Sequence, residues 1–127
     1  MATTLALVNG VSATIAANAS RGIFDIATAA NIETSSGTSG ALSVTKLYSA
    51  IDSTAGAGSR TLAAPAAGCR LKVIEMTVDN GDTTLALTNV VGGSAGSTAT
   101  FDDIGDYLIL LSVGAKWVVL GNTAVLS

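Results

Sequence analysis

The alternation across Leu71–Val78 is the feature that most constrains this chain. Ile74, Met76 and Val78 fall on one side of an extended segment, and Val73, Glu75 and Thr77 on the other. That two-residue period belongs to a strand with one buried face. Asp79-Asn80-Gly81-Asp82 follows, and Asn-Gly between two alternating runs is the strongest short hairpin signal. A two-residue turn there sets Val78 opposite Thr83, Met76 opposite Leu85 and Ile74 opposite Leu87. The other face pairs Thr77 with Thr84 and Glu75 with Ala86. All the large apolar side chains then share one face, so pattern and register agree on an antiparallel hairpin.

A second hairpin is predicted around Gly114-Ala115, between residues 107–113 and 116–120. Glycine at the first loop position suits a type II′ turn. That register places Leu111 opposite Val118 and Ile109 opposite Leu120. On the other face it places Leu110 opposite Val119 and Ser112 opposite Trp117. Both faces are apolar, which predicts cover on both sides, with another subunit supplying the second cover. Leu108, Leu110, Trp117 and Val119 are the candidate subunit or packing contacts. Between the hairpins, 92–97 reads as a Gly/Ser loop, 99–101 as a short strand and 102–106 as a turn.

The first half carries a weaker pattern. Val11, Ala13 and Ile15 alternate, as do Phe24 and Ile26, within alanine-rich segments that also tolerate helix. Residues 34–40 read as a linker of small polar residues. Leu42 and Val44 share one phase while Leu47, Ser49 and Ile51 share the other, which predicts a bulge near Thr45-Lys46. Self-similarity is limited to the two hairpins, too little for a solenoid. The expected fold is mainly β: a compact antiparallel β-sandwich or barrel built from hairpins, with an extended N-terminal arm. Residues 1–40 form the arm or peripheral strands, and residues 41–127 the β body.

Composition narrows the function. Charged residues make up 12% of the 127, about half the usual share, and six Lys and Arg against nine Asp and Glu leave −3. The cations are scattered, without the basic stripe a nucleic-acid binder needs. No run approaches the ~18 apolar residues of a membrane helix. One cysteine, Cys69, excludes an internal disulfide, and the absence of histidine removes Ser-His-Asp and Cys-His catalysis. Ala17-Asn18-Ala19 has the form of a signal cleavage site. The segment before it lacks Lys and Arg and is broken at Asn9-Gly10, so it reads as mature protein.

Asp79 and Asp82 flank a turn, where aspartate bonds nearby amides, and a calcium loop needs more ligands than these two. Asp102, Asp103 and Asp106 crowd another turn, whereas a glycosidase sets its two carboxylates across a cleft. The glycine clusters at 56–58 and 92–93 lack the Lys-Ser/Thr of a phosphate loop. No catalytic residue, cofactor site or metal site is assigned. A low-charge surface of small and apolar residues suits faces covered by partners.

Residues 60–122 resemble small structural proteins of tailed bacteriophages, above all capsid decoration (cement) proteins and related fibre modules. The matching stretches are Leu62-Ala63-Ala64-Pro65-Ala66-Ala67-Gly68-Cys69-Arg70, the strand with its Asp79-Asn80-Gly81-Asp82 turn, Thr100-Phe101-Asp102-Asp103-Ile104-Gly105-Asp106, and Gly114-Ala115-Lys116-Trp117-Val118-Val119-Leu120-Gly121. The resemblance implies a non-enzymatic virion protein on the outer capsid surface: a homotrimer that binds the major capsid protein and ties its subunits together. The alternative it implies is a tail, fibre or host-attachment module. By analogy, Leu5, Leu7, Val8, Ile23, Phe24 and Ile26 in the arm are candidate capsid contacts, since a segment without its own core orders against an external surface.

Overall fold

The computed structural model describes residues 31–66, 70–91 and 97–127. Their strands are β1 (Ile32–Ser35), β2 (Ser39–Leu42), β3 (Tyr48–Asp52), β4 (Gly58–Leu62), β5 (Leu71–Val78), β6 (Thr83–Leu87), β7 (Val90–Val91), β8 (Thr98–Phe101), β9 (Tyr107–Val113), β10 (Lys116–Asn122) and β11 (Val125–Leu126). They form a six-stranded sheet, β1-β3-β5-β9-β10-β7, and a five-stranded sheet, β11-β8-β6-β4-β2. The fold is a β-sandwich; neither sheet closes on itself.

The expected hairpin at Asn80-Gly81 does not form. β5 pairs with β3 and β9, while β6 pairs with β4 and β8 in the opposite sheet. The turn is an arch that carries the chain across the core. A type I′ hairpin needs positive φ at both central residues; Gly81 has φ 138°, and Asn80 is not in the positive region. The arch is held by the preceding one. Ser53 Oγ accepts from the Asn80 amide at 2.7 Å and donates to the Val78 carbonyl at 3.0 Å. Asn80 Nδ2 donates to the Thr54 carbonyl at 3.0 Å. A Cβ on Gly81 would lie 2.5 Å from the Ala57 nitrogen, so only glycine lets the two arches approach this closely.

Three such arches repeat: β1 to β2, β3 to β4, and β5 to β6. Their strands stack in parallel within each sheet, β1·β3·β5 and β2·β4·β6. The expected all-antiparallel pairing is corrected here. The repeat lies in backbone geometry and recurs in no shared residue motif. Antiparallel pairing belongs to the second half, where β9 lies on β5, β8 on β6, and β10 on β9.

The linker expected over 34–40 is instead the first arch, with β1 and β2 as edge strands of the two sheets. The bulge expected near Thr45-Lys46 is a crossing from β2 in one sheet to β3 in the other. Changing sheets reverses which residues face inward, which accounts for the phase change. Ser43 Oγ holds the crossing by accepting from the Thr45 and Lys46 amides at 3.1 Å each.

The core lies between the sheets. Ile51, Leu62, Ile74, Met76, Leu85, Phe101, Leu108, Leu110 and Trp117 have no solvent exposure. Each large side chain so buried contributes ~1.5–3 kcal/mol. Trp117 satisfies its indole N–H on the Ala63 carbonyl at 2.8 Å. The β9–β10 hairpin forms as expected, with Trp117 opposite Ser112 and Val118 opposite Leu111. A bulge between Val119 and Gly121 then pairs Ile109 with Gly121, displacing the expected Leu120.

Candidate functional site

The contact residues named from the sequence divide sharply. Leu108, Leu110 and Trp117 are fully buried between the sheets, and Val119 packs against the same core. All four make packing contacts within the chain. Leu5, Leu7, Val8, Ile23, Phe24 and Ile26 lie outside the described residues.

The apolar surface is the alternate set. On the outer face of the six-stranded sheet, Leu71 lies beside Leu111, Leu111 beside Val118, and Val118 beside Val91. Two residues along, Val73 lies beside Ile109. Leu71 is 43%, Val91 38% and Val113 55% exposed; the rest are half-buried. Two residues further, Glu75 lies beside Tyr107 and accepts a 2.6 Å hydrogen bond from the Tyr48 hydroxyl. Burial and this carboxylate push the Tyr48 hydroxyl up to about 12.

The outer face of the five-stranded sheet differs. Ser39, Ser59, Thr84 and Thr100 line up across four strands, and Ala41, Thr61, Ala86 and Thr98 form the adjacent row. This face is small, uncharged and mostly exposed.

Charge is segregated along the strands. Lys46 precedes β3, Arg70 precedes β5, and Lys116 begins β10; all three lie at one end of the six-stranded sheet. Asp52, Asp79, Asp82, Asp102, Asp103 and Asp106 lie at the other end, in the arches and the turn between β8 and β9. In that turn Asp106 Oδ2 accepts from the Asp102 and Asp103 amides at 3.0 and 3.1 Å. Burial pushes the Asp106 carboxyl up, but these amides hold it below the ordinary value. The shared hydrogen bond with Asp106 raises Asp102. Asp79 Oδ1 accepts from the Gly81 amide at 3.0 Å, a local turn bond. Among the described residues no group of three or more acidic or sulfur ligands is placed to hold a metal ion.

Two buried cations escaped the sequence reading. Lys72 Nζ donates to Ser49 Oγ at 2.5 Å and to the Lys46 carbonyl at 3.1 Å, and lies 3.9 Å from Glu33 Oε2. Burial lowers its pKa to about 8. Arg60 donates to Ser35 Oγ at 2.7 Å and to the Ser35 and Gly37 carbonyls at 3.0 and 2.8 Å, tying the first arch to β4. Burial lowers its pKa as well. The signal was available, because Lys72 shares the phase of Ile74 and Met76, and Arg60 that of Leu62.

No protein-family model matches the chain, and no curated protein is significantly similar to it.

Proposed function

We propose that this chain is a structural virion protein that decorates a bacteriophage capsid by binding the assembled major-capsid lattice on its outer surface. The observation that carries the reading is the pair of broad outer faces, one apolar and one mostly of Ser, Thr and Ala, on the two sides of the sandwich. A protein with partners on both sides needs both faces free of charge over most of their area, because each charge would lose its hydration on contact. The resemblance at residues 60–122, and their place in one continuous sandwich, support the same reading.

The mechanism is mechanical. A ligand that binds the assembled lattice and not free subunits stabilises the assembled state by RT ln(1 + [L]/Kd), about 2.7 kcal/mol per site at a hundredfold excess. The segment of residues 1–30 supplies the anchor on the capsid in this reading. A second reading, a tail or fibre module, draws on the parallel stack of arches, since stacked rungs extend along one axis. Electron microscopy of the parent particle tests both. Regular density on the outer capsid lattice supports decoration, and density confined to the tail replaces it with the second reading.

A further inference from the structure

We propose that a second copy of this chain packs on the outer face of the six-stranded sheet, through a two-fold axis running across the strands. The inference stands apart from the virion reading, because it rests only on the levels of this face. From one end to the other they are Val113 with Lys116, then the apolar row Leu71–Leu111–Val118–Val91, then Val73 with Ile109, and then Glu75 with Tyr107. Two apolar levels are thus flanked by a basic end and an acidic end.

A two-fold relating two identical sheet faces lies in the contact plane, and its two limiting directions are along the strands and across them. An axis along the strands keeps like ends together, Lys116 beside Lys116 and the acidic turn beside its own copy. An axis across the strands, placed between the two apolar levels, reverses one copy. It lays Leu71 and Leu111 over Val73 and Ile109 of the second copy, apolar on apolar. It also preserves strand order, so the start of β10 in one copy faces the end of β10 in the other. That end is acidic: Thr123 exchanges hydrogen bonds with Tyr107 at 2.9 and 3.0 Å, and Tyr107 follows Asp106 directly. Lys116 therefore faces Thr123 of the second copy, while the 102–106 turn, whose backbone bonds to Met76 of β5, faces Arg70 at the start of β5. A three-fold assembly with strands along its axis sets like ends side by side, so charge favours the two-fold over the trimer implied by the resemblance.

The test uses the full chain, with mass measured by sedimentation equilibrium at micromolar concentration. The expected mass is about 25 kDa, twice the 12.5 kDa of one chain. Leu111→Glu is expected to weaken association at least about a hundredfold by placing an unpaired charge in the contact. Arg70→Glu and Asp103→Lys, both at exposed positions, are each expected to weaken it up to about fivefold, and the double variant to restore it. Raising the salt concentration is expected to shrink that restoration. A one-chain mass, a three-chain mass, or charge reversals that do not rescue one another would each overturn the proposal. The charge variants decide the matter even where Leu111→Glu fails to fold.

Discussion

Glu33 Oε2 lies 3.9 Å from Lys72 Nζ, and the lysine is wholly buried while the carboxylate keeps a fifth of its exposure. The same carboxylate accepts from the Ser43 amide at 2.7 Å and from Ser49 Oγ at 3.0 Å, so it joins β1 to the crossing before β3. Glu33→Gln should leave the ammonium buried with only neutral partners and cost about 2–4 kcal/mol in urea unfolding. Lys72→Met, which removes the charge and keeps the volume, should be neutral or stabilising.

The same lysine predicts an unusual pH profile. Its pKa is about 8 in the folded chain against 10.5 in the unfolded one. Between those values the unfolded state binds more protons, so stability should rise with pH, by roughly 2–3 kcal/mol. Tyr48 acts in the opposite sense, because its hydroxyl stays protonated to about 12 when folded and to 10.0 otherwise. Stability should therefore peak near pH 10 and fall above it. Denaturant midpoints across pH 7–11.5 test this, and Lys72→Met should abolish the rise.

The arches supply a third prediction. Ser53 is buried and bonds both to the Asn80 amide and to the Val78 carbonyl. Ser53→Ala should cost about 1–3 kcal/mol by leaving the Asn80 amide without this acceptor. Gly81→Ala should cost at least about 2 kcal/mol, because the added Cβ meets the Ala57 backbone and φ 138° strains any L side chain. If both variants keep the native midpoint, the arches do not stack as described.

Adjacent residues on β9 should fail differently. Leu110 points into the core and Leu111 outward. Leu110→Asp should abolish folding, giving insoluble chain and no cooperative transition. Leu111→Glu should keep the fold and change only the mass. Circular dichroism with sedimentation distinguishes the two, and identical behaviour would mean that the faces are wrongly assigned.

The amino-terminal reading is tested in the full chain. Phe24→Asp with Ile26→Asp should lower binding to capsids stripped of decoration at least tenfold, about 1.4 kcal/mol, and leave the thermal midpoint unchanged. Unchanged saturation of those capsids would place the contact on the sandwich.

Alternation determined most of the residues of β5, β6, β9 and β10 that face the core, although Val78, expected on that face, is 38% exposed at the end of β5. Ile74, Met76, Leu85, Leu87, Leu110 and Trp117 all lie inward, because a period of two assigns faces whatever the strand pairs with. The β9–β10 hairpin was legible too, from the Gly114-Ala115 loop, where Gly114 has the positive φ of 63° that the turn requires. What alternation cannot specify is the partner of each strand. A hairpin at Asn80-Gly81 and an arch there bury the same side chains, and the contacts of Ser53 with Asn80 and of Ala57 with Gly81, distant in sequence, decide between them. Charge segregation was equally hidden. Lys46, Arg70 and Lys116 are scattered along the chain and meet at one end because β3 and β5 pair in parallel and two antiparallel pairings, β5 with β9 and β9 with β10, bring the start of β10 to the same side. Local pattern thus determined which side of each strand is dry, and tertiary pairing decided which strands are neighbours, because hydrogen bonds between strands form without regard to side-chain identity.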